Sequence, residues 1–263
     1  MKRVLNIAGW VLSVVGLIVV LGFTESELAS KKYSDLRVNI HTDQGNFFVS
    51  TSEVEQAVKN MGYATGAQSV RSINITSLEE FFDRYPSVKK SQVYSTINGE
   101  LMVEIEQRNP IVRVYSGNES FYIDDEGALM PLSGNYTAHV PVANGNIRVP
   151  FNLSYQQNYA DTSGKKLNSE KLKLHELYRL VSTIREDELW NAQFNQVYVN
   201  ENNDYELIPR VGDHRIILGD AQDLKEKLNK LKIFYYDGLN KTGWNEYEVI
   251  NLKYHNQVVC TKN

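Results

Sequence analysis

The chain has 263 residues, of which 28 are basic and 32 acidic, so its formal net charge is −4 at pH 7. This acidic balance makes nucleic acid an unfavourable partner, because proteins that bind phosphates need an excess of basic side chains. The single cysteine, Cys260, excludes an internal disulfide, so the fold must be held by packing and hydrogen bonds. Hydrophobic residues make up 42% of the sequence, which is enough for sizeable cores.

An uncharged apolar run lies near the start of the sequence and extends from Val4 to Phe23. As a helix it would measure roughly 30 Å, the thickness of a bilayer core. Lys2 and Arg3 precede the run and acidic residues follow it, so the positive-inside rule predicts a cytoplasmic N-terminus. We therefore predict a cytoplasmic tail over residues 1–3, a single transmembrane helix over 4–23, a linker over 24–35 and an extracytoplasmic remainder.

A cleavable signal peptide is the alternative to a retained membrane anchor. Leu28-Ala29-Ser30 ends in small residues, as a cleavage site does. The apolar run is longer than the roughly 7 to 15 residues of a typical signal-peptide core, and this length favours the anchor.

The next segment, from Leu36 to Asn109, predicts a β-α-α-β-β module. Leu36 to His41 alternates apolar and polar residues, as a half-buried strand does. Ser52-Glu53-Val54-Glu55 and Ser77-Leu78-Glu79-Glu80 have the pattern of capping boxes, so each is expected to begin a short helix.

A β-hairpin is predicted to complete this module. Alternating segments lie on both sides of Asn98-Gly99, and these two residues favour the positive φ angles of a two-residue type I′ turn. The resulting three-stranded sheet would leave an edge open to a partner strand.

The remainder, residues 110–263, is predicted to be a mainly antiparallel β domain with two helices, which makes the fold class α+β. Ser169 would begin the first helix, and the segment from Leu224 to Leu231 has the leucine spacing of the second. A polar segment from Asn144 to Lys166 shows no sustained periodicity. The strands predicted between the helices are Asn195–Val199, Tyr205–Pro209 and Arg215–Leu218.

Four segments resemble, in the same order, the FtsQ/DivIB family of bacterial cell-division proteins. Val103 to Val112 is similar to the junction between the family's POTRA module and its β domain. Phe121 to Leu129 is similar to the family's apolar-apolar-Asp-x-x-Gly hairpin, and Ile216 to Gly219 precedes an amphipathic helix as in the family. Ile250 to Tyr254 resembles the terminal "IDLRY" strand, although Asn251 stands where the family usually has Asp.

The resemblance implies a non-catalytic scaffold of the divisome with a POTRA-like domain over 36–109 and a C-terminal β domain over 110–263. It also implies a place in the bacterial inner membrane at the division septum, with a periplasmic C-terminal domain. In the family, a bitopic partner of the FtsB/DivIC type, acting with FtsL, docks by strand addition near the C-terminus. The implied partner-binding residues are Val249, Ile250, Asn251, Leu252, Lys253 and Tyr254.

No sequence motif points to catalysis or to a cofactor. HExxH, CxxC, P-loop, GxGxxG and G-x-S-x-G patterns are absent, and the five histidines are too scattered for a zinc site. Asp124-Asp125-Glu126-Gly127 is the densest acidic cluster, and its position predicts a solvated hairpin turn. We therefore expect no enzymatic activity, cofactor, metal or small-molecule substrate.

Two other classes of function stay open from the sequence. An envelope-assembly chaperone would handle unfolded clients through an open POTRA edge, but further POTRA repeats or a following barrel would then be expected. An exported hydrolase could use Asp124 and Glu126 as paired carboxylates in a cleft.

Overall fold

The computed structural model describes residues 9–19, 31–42, 45–149, 159–160 and 168–263. Residues 9–19, the described part of the apolar run, are helical and are called α1. Within the described ranges, no helix combines the length and the apolar character needed to cross a membrane. This finding contradicts the predicted transmembrane helix over 4–23, of which residues 4–8 and 20–23 lie outside the described ranges. The predicted tail over 1–3 lies outside the described residues.

The chain divides into two compact units, Met1–Gln107 and Arg108–Asn263. Each unit has a hydrophobic core of its own, and each combines helices with a sheet. The predicted α+β class is confirmed in this respect, with a β-α-α-β-β unit followed by a β-rich unit.

The first unit contains a three-stranded sheet covered by two helices. In the sheet order β1-β3-β2, β1 runs parallel to β3 and β2 runs antiparallel to it. Leu101, Val103 and Ile105 of β3 are fully buried and share a core with Val58 and Leu78 of the helices. The elements are β1 (Asp35–His41), α2 (Thr51–Asn60), a 3-10 turn (Val70–Ser72), α3 (Ile75–Asp83), β2 (Val88–Ser95) and β3 (Glu100–Gln107).

Both helices of this unit begin earlier than the sequence predicted. The capping box of α2 is formed by Ser50 and Glu53, because the Ser50 hydroxyl accepts from the Glu53 N–H at 3.3 Å and the Glu53 carboxylate accepts from the Ser50 N–H at 2.8 Å. The cap of α3 is Asn74, whose side-chain oxygen accepts from the Ser77 N–H at 3.1 Å. The expected starts at Ser52 and Ser77 are thus corrected by two and three residues.

The predicted hairpin is present, but its turn is longer than expected. Four residues, Thr96 to Gly99, separate β2 from β3, and the Gly99 N–H donates to the Thr96 carbonyl at 3.0 Å. Gly99 has a φ of +88°, whereas Asn98 is not among the positive-φ residues. A type I′ turn needs positive φ at both central residues, so the predicted turn type is wrong, and Gly99 supplies the left-handed residue that closes a longer loop.

The second unit is built on one nine-stranded sheet in the order β12-β11-β10-β9-β8-β7-β4-β5-β6. Among the described strands, five of the eight pairings are antiparallel. β4, β7 and β8 are mutually parallel, as are β10 and β11. The strands are β4 (Pro110–Ser116), β5 (Glu119–Asp124), β6 (Leu129–Pro131), β7 (Val142–Gly145), β8 (Phe194–Val199), β9 (Tyr205–Pro209), β10 (Arg215–Gly219), β11 (Tyr247–Asn251) and β12 (Val259–Lys262).

More helices accompany this sheet than the two predicted. Leu177 of α4 and Leu231 of α6 are fully buried and join Val199, Leu207 and Ile250 of the strands in one core. Most of the predicted polar segment over 144–166 lies outside the described residues. The helical elements are α4 (Ser169–Arg185), α5 (Glu188–Gln193), α6 (Leu224–Phe234), a π-helical turn (Tyr235–Leu239) and α7 (Asn240–Thr242).

Candidate partner-binding edge

The residues that the resemblance assigned to partner binding lie on β11 and in the turn that follows it. Val249, Ile250 and Asn251 belong to β11, whereas Leu252 to Tyr254 come after its end. β11 is an interior strand, because it pairs in parallel with β10 on one side and antiparallel with β12 on the other. A partner strand therefore cannot add to β11 itself.

The side chains of β11 and the following turn divide between the core and the outer face of the sheet. Ile250 and Leu252 are 0% exposed and belong to the core, and Val249 is also buried. Asn251 is half-buried, whereas Lys253 and Tyr254 are exposed. Only these last three could touch a partner without a change in the core.

Lys253 is engaged within its own unit. Its ammonium donates to the Asp204 carboxylate at 2.7 Å, and this bond raises the pKa of the lysine. Gly219, whose φ is +77°, makes room for the lysine stem, since a Cβ at this position would lie 2.7 Å from the Lys253 Cγ. The side chain thus ties the start of β9 to the end of β11.

The turn after β11 is fastened to helix α6. The Lys230 ammonium donates to the Tyr254 carbonyl at 2.7 Å and to the Leu252 carbonyl at 3.3 Å. These two bonds fix the backbone of the turn, and the Tyr254 side chain remains 49% exposed.

β12 is the open edge at this end of the sheet. It pairs with β11, and no other described strand pairs with it. Leu252 donates its N–H to the Ile217 carbonyl of β10 at 2.8 Å, so the backbone of Asn251, one residue earlier, points towards β12.

The alternation of backbone groups then fixes which residues of β12 face away from β11. Asn251 pairs with Val259, so the N–H and C=O of Val259 point towards β11. The backbone N–H and C=O groups of successive residues in a strand point to opposite sides. The N–H and C=O groups of Cys260 and Lys262 therefore point away from β11. These outward groups are the donors and acceptors that an added strand would use.

β12 was not among the predicted strands, because it is short and its alternation of apolar and polar residues is weak. Its four residues, Val259 to Lys262, carry one half-buried side chain, Cys260, and are otherwise exposed. Burial raises the pKa of the Cys260 thiol, which disfavours its reactive thiolate form. The available signal was the pair Val258-Val259 directly after the polar turn at Asn256, where φ is +56°.

The acidic cluster near Asp124 forms the hairpin turn that the sequence predicted, between β5 and β6, but Asp124 itself is buried and not solvated. The Asp124 carboxylate is 0% exposed, forms an ion pair with Arg108 at 2.8 Å and accepts from the N–H groups of Glu126 and Ala128. Burial without partners would be costly for a carboxylate, so these bonds explain its position. No group of three or more acidic, histidine or cysteine side chains able to hold a metal occurs among the described residues.

Comparison with known protein families agrees with this architecture. The family model "FtsQ/DivIB, C-terminal related" matches residues 109–261, more than half of the chain, and the model "POTRA-like domain" matches residues 32–106. No curated protein matches the chain. The chain therefore belongs to the FtsQ/DivIB family, whose members are non-catalytic scaffolds of cell division associated with the septum and the membrane.

Proposed function

We propose that this chain holds a bitopic division protein of the FtsB/DivIC type, together with FtsL, at the division septum. The partner binds by adding an extended segment to the outer side of β12. Its backbone pairs with the outward groups of Cys260 and Lys262, and its side chains provide the selectivity.

The observation that carries this proposal is the position of β12 at the edge of the nine-stranded sheet. An edge strand offers unpaired N–H and C=O groups in the geometry that a further strand requires. The residues first implied on β11 then act indirectly, because Asn251 and Val249 pair with Val259 and Thr261 and hold β12 in place.

Neighbouring bonds hold β12 in the conformation that an added strand needs. The Asn263 side-chain amide donates to the Asn245 carbonyl at 2.6 Å, and the Asn263 N–H donates to the Glu246 carbonyl at 3.3 Å. A strand that is already fixed loses less conformational entropy on binding, which favours affinity.

Replacement of Lys262 by proline tests strand addition directly. Proline removes an N–H that points away from β11, so it removes a donor from the open edge without breaking the pairing to β11. We expect the Lys262→Pro variant to bind the soluble segment of an FtsB/DivIC-type protein at least about tenfold more weakly. Isothermal titration calorimetry measures this change.

Lys262→Ala is the matched control, because it removes the same charged side chain and keeps the N–H. Both variants are first compared by thermal unfolding, so that a misfolded protein is recognised. Equal affinities for the proline and alanine variants would contradict strand addition at β12.

A further inference from the structure

In the first unit, helix α3 covers the outer edge of strand β2. This strand pairs with β3, and no other described strand pairs with its second side. Side chains of helix α3 occupy that side instead. The Ser91 N–H donates to the Asp83 carboxylate at 2.8 Å, and the Val93 N–H donates to the Glu79 carboxylate at 2.9 Å.

The Ser91 hydroxyl strengthens the same contact. It donates to the Asp83 carboxylate at 2.8 Å and lies 3.2 Å from the Glu79 backbone carbonyl. Ser91 is only 6% exposed and Val93 only 4%, so this part of the edge is shielded by the helix. The two carboxylates stand where the carbonyl oxygens of an added strand would stand.

The spacing of the two acids matches the spacing of the two amides. Glu79 and Asp83 are four residues apart on a helix, a rise of about 6 Å, whereas Ser91 and Val93 are two residues apart on a strand, about 6.7 Å. The pairing Asp83 with Ser91 and Glu79 with Val93 shows that helix and strand run in opposite directions. An acid pair at i and i+4 can therefore satisfy consecutive outward amides of an edge strand.

We infer that Glu79 and Asp83 close the β2 edge and so prevent a second copy of this chain from pairing there, leaving strand addition to other edges. Each carboxylate accepts from an amide that would otherwise recruit a strand, and a hydrogen bond to a carboxylate is stronger than one to a neutral carbonyl. An incoming strand must displace both carboxylates before it can accept a hydrogen bond from either amide.

The sequence of β2 is compatible with pairing between two copies around Gln92. Two copies related by a two-fold axis at Gln92 would place Ser91 opposite Val93, so that these residues exchange both hydrogen bonds. Lys90 would then lie opposite Tyr94, and no like charges would face each other directly. Helix α3 opposes this arrangement, and its Glu79 and Asp83 carboxylates occupy the two amides that the second copy would use.

A disulfide trap at the two-fold axis tests the inference in the full chain. Gln92 is exposed, and its Cα would lie about 4.5 Å from its counterpart across the axis, which is within reach of a disulfide. The Gln92→Cys substitution is made in a Cys260→Ser background, so that it provides the sole thiol. We expect covalent dimers under mild oxidation only when Glu79→Ala and Asp83→Ala are also present.

Two control variants separate closure of the edge from loss of charge or of folding. Glu79→Gln with Asp83→Asn keeps an acceptor oxygen at each position and should stay monomeric, whereas Glu80→Ala removes a neighbouring exposed acid and should have no effect. Hydrogen exchange at Ser91 and Val93 should accelerate about tenfold in the double alanine variant. Absence of dimers from that variant, with its fold intact by circular dichroism, would overturn the inference, and this result is independent of binding at β12.

Discussion

The imidazole of His214 is buried in an aromatic cluster of the second unit. It is 2% exposed, its Nε2 lies 2.8 Å from the Tyr235 hydroxyl, and the rings of Tyr235 and Trp244 lie close to it. Burial lowers the pKa of His214 below its ordinary value of 6.5, and the nearby backbone of Trp244 and the charge of Asp213 oppose this shift only in part. The residue is therefore held in its neutral form.

A pH dependence of stability follows from this burial. The unfolded chain binds a proton at His214 near pH 6.5 and the folded chain binds it only at lower pH, so the stabilisation is present above that value and is lost as the pH falls below it. We expect the free energy of unfolding to decrease from about pH 7 to about pH 5.5, by no more than about 1.4 kcal/mol per pH unit from this group. Urea denaturation of the wild type and a His214→Gln variant measures the difference, and identical pH slopes would refute it.

Lys253 shows how far single residues of the candidate site could be predicted. Strand alternation would bury Ile250, Leu252 and Tyr254 and expose Val249, Asn251 and Lys253. Ile250 and Leu252 are buried and Lys253 is exposed, but Val249 is buried and Tyr254 is exposed, so the alternation holds only in part. The sequence could not indicate that Asp204, 49 positions away, binds the lysine, since this contact depends on the tertiary fold. The assignment of these residues to partner binding stays a prediction.

The caps of α2 and α3 lie two and three residues before the predicted positions, because the sequence offers more than one possible cap near each helix start. Ser and Glu recur at similar spacings near both helix starts, so several capping boxes fit the sequence equally well. In α2 the capping box is formed by Ser50 and not by Ser52. In α3 the cap is Asn74, which does not belong to a capping-box pattern. Boundaries of this kind depend on where the apolar face must meet the sheet.

The cap of α3 gives a prediction at the level of the element. Asn74→Ala removes the acceptor for the Ser77 N–H and should lower the free energy of unfolding of the first unit by about 1 kcal/mol. Ser77→Ala keeps that acceptor and should cost distinctly less. Chemical denaturation of both variants compares them, and an equal or larger loss for Ser77→Ala would favour the start predicted from the sequence.

The edge strand β12 was not predicted from the sequence. The segment from Ile250 to Tyr254 was expected to be the final strand because it resembles the family's terminal motif. The chain instead turns at Asn256 and returns as β12, which covers β11 and moves the open edge by one strand. A four-residue strand with one half-buried side chain has too little periodicity to be distinguished from a loop.

At the scale of the whole molecule, apolar patterning indicated the class of fold but not the topology of the larger sheet. The hairpin of β2 and β3 follows from local alternation and turn residues. The parallel neighbours β4, β7 and β8 are distant in sequence, and no local pattern encodes their pairing. The apolar run at the N-terminus met the length criterion for a membrane span, yet no helix among the described residues is long and apolar enough to cross a membrane.

Because each unit has its own core, we expect the two to fold as separate fragments. Residues 31–107 contain the core around Leu78 and Val103, and residues 108–263 contain the core around Leu177 and Ile250. Each fragment should unfold cooperatively in urea, and the dependence on urea should be about twice as steep for the second fragment, which is about twice as long. Circular dichroism follows both transitions, and the fluorescence of Trp190 and Trp244 reports on the second fragment alone. A second fragment that unfolds without a cooperative transition would show that its core needs residues from the first.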